Sequence, residues 1–123
     1  MARILIIDDE ENVRYVLRRI LDTAGHEVLE AADGGQGIEI SKSEELDLVI
    51  TDIFMPEVEG LETLREIRKI HPDQKIMVIS GGGKSGYLDV LDAAVLLGAT
   101  EQIAKPFSPS ELLAKVDHCL APG

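Results

Sequence analysis

The chain has 123 residues, with 12 Lys plus Arg against 23 Asp plus Glu, and so carries a formal charge of −11. That length suits one domain, expected to span residues 1–123, with a core that needs no staples; the single cysteine, Cys119, allows no internal disulfide. A hydrophobic content of 45% excludes disorder as the main state, and the acidic excess excludes a phosphate-tracking nucleic-acid surface, which needs clustered Lys and Arg.

The first apolar run, 4–7, has the length of a buried strand. Asp8, Asp9, Glu10 and Glu11 cut it off too early for the roughly 7–15-residue core of a signal peptide. No later stretch reaches the ~18 apolar residues of a membrane span, so the expected compartment is the cytoplasm and no membrane contact is expected. Val13, Val16, Leu17, Ile20, Leu21 and Ala24 then recur at steps that put one apolar stripe on a helix, and Gly25 ends it as a left-handed residue would.

A second strand is expected at 28–31. The helix after it is the least marked, because Gly37, Ser41 and Ser43 lower its propensity, although Asp33 and Gln36 stand at capping-box spacing. The third strand, 48–51, leads to a helix marked by Leu61, Leu64 and Ile67, which must stop near His71 because Pro72 disfavours helical geometry before it. A fourth strand at 76–80 precedes a fourth helix around Leu88, Leu91, Ala94 and Val95 that stops at Gly98. A fifth strand at 102–104 precedes a helix opened by Ser108, Pro109 and Glu111, which turns Leu112, Leu113 and Val116 inward; Cys119 follows at helical spacing as a small core residue. Five alternating pairs imply an α/β fold, with a parallel sheet covered on both faces.

In such sheets ligands bind beyond the carboxyl ends of the strands. There the first strand is followed by Asp8 and Asp9, the third by Asp52, the fourth ends in Ser80, and the fifth is followed by Lys105 and Pro106. If the first and third strands are neighbours, three carboxylates crowd together, and like charges ~4 Å apart cost about 4 kcal/mol per pair at a surface-like dielectric. A hard divalent cation that keeps some of its water, Mg²⁺, relieves this. A carboxylate held against a cation and the Lys105 ammonium is a phosphoryl acceptor, because carboxylates form aspartyl phosphates. Asp52 stands singly at the end of a central strand and is the candidate nucleophile; Asp8 and Asp9 are adjacent and suited to hold the metal; Ser80 can donate to a phosphoryl oxygen.

These residues, with Phe54-Met55-Pro56, Gly60, Gly98-Ala99 and Lys105-Pro106-Phe107 in this order, resemble the receiver domain of two-component response regulators over essentially the whole chain. The resemblance implies a flavodoxin-like, doubly wound five-stranded sheet in the order 2-1-3-4-5 with five helices. It implies that Asp52 accepts phosphate from a histidine kinase or phosphotransfer protein. It implies Mg²⁺ ligation by Asp9, Asp52 and the Phe54 backbone carbonyl, with Asp8 acting through water, and phosphoryl contacts from Ser80 and Lys105. The Lys105–Pro106 bond would be cis. The signal would leave through the face made by the fourth helix, fifth strand and fifth helix, to a downstream protein that the sequence does not name. The chain would be a switch rather than a turnover enzyme.

Two features depart from the family pattern. Where many members carry an aromatic switch residue three positions before the lysine, this chain has Gln102, and Gly81, Gly82 and Gly83 lengthen the loop after Ser80. Gln102 motivates two further expectations: a phosphorelay intermediate, and an interaction module that keeps the fold without being phosphorylated. Other phosphate chemistries fail on spacing or charge. Gly83-Lys84-Ser85 would put the first glycine of a nucleotide loop at Val78, inside a strand. Phe54 cannot serve as the second acid of a dehalogenase-type phosphatase, and Asp8 to Glu11 would repel a flavin phosphate. His26, His71 and His118 share no motif and are expected to be structural.

Overall fold

A computed structural model describes residues 2–52, 59–81 and 98–121. The elements are β1 (Arg3–Ile7), α1 (Glu11–Thr23), β2 (Glu27–Ala31), α2 (Gly34–Ser43), β3 (Leu48–Asp52), α3 (Glu59–Ile70), β4 (Ile76–Gly81), β5 (Glu101–Lys105) and α4 (Pro109–Leu120). The C-terminal α4 corresponds to the fifth helix expected from sequence; the expected fourth, around Leu88 to Val95, lies outside the described residues. All pairings are parallel and the strand order is β2-β1-β3-β4-β5, as the resemblance implies.

The three inner strands β1, β3 and β4 are buried on both faces because they are nearly continuous apolar runs, whereas the edge strands β2 and β5 are mixed. Ile4, Ile6, Leu48, Ile50, Met77, Ile79 and Ile103 point to the side covered by α1 and α4, where they meet Leu17, Leu21, Leu112, Val116 and Cys119. Leu5, Ile7, Val49, Ile76 and Val78 point the other way, to Leu64 and Ile67 of α3. Cys119 is fully buried, and burial pushes its thiol pKa up to about 11, so it stays protonated and inert.

Local signals place the helix ends. Gly25 has φ of +92°, while its N–H bonds Asp22 O at 2.9 Å and His26 N–H bonds Leu21 O at 3.1 Å, a complete Schellman closure. Asp33 accepts from Gln36 N at 2.8 Å, but Gln36 Oε1 reaches back to Ala32 N rather than to the cap residue itself. Ser108 accepts from Glu111 N at 3.1 Å with Pro109 in the first turn. The α1 stripe is narrower than its periodicity suggests: Leu17 and Leu21 are buried, whereas Val16 is 51% exposed and Ala24 lies at the surface.

Helix α2 packs where its sequence is poorest in helix formers, and the glycines are the reason. A Cβ on Gly37 would lie 2.8 Å from Ile7 Cγ1, so only glycine lets α2 approach β1 this closely. Ser41, on the same helix, is buried and its hydroxyl has no partner among the described residues. Ser41→Ala is therefore expected to stabilise the fold by about 1 kcal/mol, through helix propensity and loss of a dehydrated hydroxyl, read as a higher Tm.

A cluster of charges adds to the apolar contact between α4 and β5. Glu101 accepts from Lys115 Nζ at 3.3 Å and faces His118 Nδ1 at 3.2 Å. Burial by itself would raise the Glu101 pKa, but the Gln102 N–H, Lys115 and His118 outweigh it and hold the carboxyl below its ordinary range. A depressed carboxyl pKa contributes stability that is present above the unfolded value and lost as pH falls through the folded one. Glu101→Gln is thus expected to cost up to about 1 kcal/mol at pH 7, with the difference from the native chain shrinking in acid melts only as pH falls below the ordinary carboxyl range.

Candidate functional site

Strand order runs outward in both directions from β1, so the crevice beyond the carboxyl ends of β1 and β3 is where an open α/β sheet binds its ligands. Asp52 is the last residue of β3 and pairs with Ile79, while Asp8 and Asp9 follow Ile7 at the end of β1. One oxygen from each of Asp8, Asp9 and Asp52 lies within 4.8 Å of the others. Asp8 and Asp52 are 0% and 4% exposed, whereas Asp9 faces solvent.

The sequence forces this crowding. Four consecutive buried residues, Ile4 to Ile7, carry the chain into the core, and Asp8 follows before it can leave. Asp8 N–H extends the ladder to Ala31 O at 3.1 Å, and Asp8 Oδ1 accepts Glu10 N–H at 2.8 Å, a side-chain turn that starts α1. The Asp8 carbonyl accepts from Arg14 Nη1 at 2.6 Å, and Arg14 Nε meets Glu30 Oε1 of β2 at 3.2 Å. Arg14 escapes a reading of the sequence, because periodicity marks it only as a charge on the polar side of α1.

Three carboxylates at this spacing repel by roughly 3–4 kcal/mol per pair at a surface-like dielectric, before any cation is added. The donor set fits Mg²⁺: hard oxygens, two of them from buried side chains, and one solvent-facing acid that leaves room for coordinated water. Asp8, Asp9 and Asp52 would hold such an ion, which supplies positive charge against the oxygens of a transferring phosphoryl group.

Ser80 and Lys105 are described in their backbones. The β4–β5 register sets Ser80 beside Ala104 and Gly81 beside Lys105, so both residues stand at the strand ends of the same rim. Pro106 follows at once and is exposed. Phe54, Gly82, Gly83, Lys84 and Tyr87 lie outside the described residues. Gln102 is exposed on β5, and its N–H bonds Glu101 Oε1 at 3.0 Å. Val13, Val16, Asn12, Pro106 and Phe107 line an apolar groove of about 340 Å³ beside this rim, at the start of α1 and just after β5. Two of the three histidines are tied to the backbone: His26 accepts from Ala2 N, and His71 Nε2 lies 2.7 Å from Ser41 O.

A model of the response regulator receiver domain matches residues 4–117. The chain is 39% identical over 112 residues to chemotaxis protein CheY of Thermotoga maritima, spanning 90% of this chain and 91% of that protein. It is 37% identical over 121 residues to sensor kinase CckA of Brucella abortus, spanning 97% of this chain but 12% of that one, and it covers about half of several transcriptional regulators. A CheY-like receiver domain structure from Methanospirillum hungatei JF-1 superposes with a TM-score of 0.90 at 32% identity, covering 98% of this chain and 94% of that one. The parallel 2-1-3-4-5 sheet, the acid cluster at its switch point and these similarities agree: the chain belongs to the receiver domain family of two-component response regulators, signalling modules rather than turnover enzymes.

Proposed function

We propose that this chain, as a single receiver domain over 1–123, is a phosphoacceptor whose Asp52 takes a phosphoryl group from a histidine kinase or phosphotransfer protein in the presence of Mg²⁺. The three-carboxylate cluster is the observation that carries the reading: two of its members are buried, and repulsion between them is useful only where a cation and a transferring group arrive together. An Asp52 oxygen forms the new bond to phosphorus as the bond to the donor's nitrogen or oxygen breaks, and the leaving group keeps that electron pair and takes up a proton. Asp9, Asp52 and the Phe54 carbonyl would hold the metal, with Asp8 acting through water; Ser80 and Lys105 would contact the phosphoryl oxygens, with a cis bond between Lys105 and Pro106.

A donor protein must bring its phosphohistidine to this rim, and the apolar groove around Val16 and Phe107 is the uncharged surface beside it. Val16→Asp is expected to slow transfer from a donor protein about tenfold while leaving transfer from a small acyl phosphate unchanged; equal slowing of both would sink this docking face. The phosphorylated chain signals in the cytoplasm through the face that includes β5 and α4; the fourth helix expected to complete it lies outside the described residues. The exposed polar Gln102 favours output by means other than aromatic rotation and supports a second reading, an interaction module independent of phosphorylation.

Intact mass after incubation with Mg²⁺ and a small acyl phosphate separates the two. One phosphoryl adduct, lost with chelator, is the expected result. No adduct from that donor or from a phosphorylated kinase favours the interaction module.

A further inference from the structure

We propose that Arg14 is a positioning residue for the metal-binding acids, braced from β2 by Glu30; this rests on the reading of Asp8, Asp9 and Asp52 as a Mg²⁺ site. Both ends of Asp8 are tied to β2. Its N–H bonds Ala31 O directly at 3.1 Å, and its carbonyl is held through Arg14 Nη1 at 2.6 Å, with Arg14 Nε in turn on Glu30 at 3.2 Å. The carbonyl in question belongs to the peptide that joins Asp8 to Asp9, so the guanidinium fixes the plane from which the Asp9 side chain departs.

The brace is itself constrained. The Arg14 side chain is 15% exposed, and Glu30 accepts Arg18 Nη1 at 2.5 Å on its other oxygen, while Arg18 Nε meets Asp22 at 3.4 Å. A planar fork held at two of its nitrogens is rigid where a lysine would be a single mobile point. Groups that orient metal ligands from behind typically change metal affinity 10–100-fold when removed.

Charge and position predict opposite signs here, which makes the inference testable. If Arg14 acted only as a nearby positive charge, Arg14→Gln would tighten Mg²⁺ binding, because the acid cluster would lose a competing cation. If it positions the peptide, Arg14→Gln weakens Mg²⁺ binding about tenfold or more, and Arg14→Lys, which keeps the charge, weakens it as well.

The experiment is calorimetric titration of the purified chain with Mg²⁺ at fixed ionic strength, for the native protein, Arg14→Gln, Arg14→Lys and Glu30→Gln, with folding checked by circular dichroism. A second readout needs no metal: amide exchange at Glu10, whose N–H is held by Asp8 Oδ1, is expected to accelerate in Arg14→Gln. Should Arg14→Gln fail to fold, Arg14→Lys carries the comparison, because it keeps the charge and removes the planar fork, so charge alone predicts no change and positioning predicts weaker binding. Native Mg²⁺ binding with unchanged or tighter binding in Arg14→Gln and unchanged binding in Arg14→Lys overturns the positioning role alone. Absence of Mg²⁺ binding by the native chain overturns the metal-site reading and this inference together.

Discussion

Asp52→Asn is expected to abolish the phosphoryl adduct completely and, with chelator present, to raise stability by about 1–2 kcal/mol. The first effect follows from chemistry: a carboxamide lacks the anionic oxygen that bonds to phosphorus. The second follows from electrostatics. Asp52 is 4% exposed and offers an oxygen within 4.8 Å of oxygens from two other acids, so removing its charge relieves repulsion that the metal-free fold must otherwise bear. The gain is smaller than the bare pair energies because Asp9, one of the three acids, faces solvent, which screens its share of the repulsion. Mg²⁺ should reverse the order, since a ligand that binds only the folded native chain stabilises it by mass action and binds the variant less well. Thermal melts with and without Mg²⁺, beside intact mass, read both effects. An adduct of normal yield on Asp52→Asn would remove Asp52 from the acceptor role, and a lower Tm in chelator would show that the cluster is not under repulsion.

Gly37→Val is expected to destabilise the fold by about 2–3 kcal/mol, lowering Tm by roughly 10 °C, and to weaken Mg²⁺ binding. The added carbon would lie 2.8 Å from Ile7 Cγ1, and Ile7 is fully buried between β1 and α2, so it cannot swing into solvent. Either α2 moves out or Ile7 is displaced, and Ile7 is the residue immediately before Asp8. The strain therefore passes directly into the strand end that places two of the three acids. Ser41→Ala on the same helix serves as the contrast, because it removes atoms from a buried position and is expected to raise Tm. If Gly37→Val melts with the native chain, the close approach of α2 to β1 does not limit this site.

The two predictions differ in where their causes are visible. Asp52, Asp8 and Asp9 were legible because each ends or directly follows a buried, largely apolar strand, and a carboxylate at that boundary has few structural uses. Gly37 was legible only as a weakness: propensity marks it as a poor helix former, and the reason it is tolerated is a distance to Ile7, a residue 30 positions away in the chain.

The sequence by itself determined the alternation of strands and helices, the Schellman stop at Gly25, the caps at Asp33 and Ser108, the buried thiol of Cys119 and the set of acids at the strand ends, because each depends on neighbours within a few residues. It also carried the family, through the order and spacing of short motifs. Tertiary structure decided what depends on which strands lie side by side. That β1 adjoins β3 brings Asp8 and Asp9 within 4.8 Å of Asp52, and that β2 adjoins β1 gives Arg14 its partner Glu30 and gives Asp8 its anchor at Ala31. It also left Val16 exposed, although its spacing matches Leu17 and Leu21, because the groove between α1 and α4 closes over only part of the apolar stripe. Periodicity reports which face of a helix is apolar; how much of that face is covered depends on the width of the element packed against it.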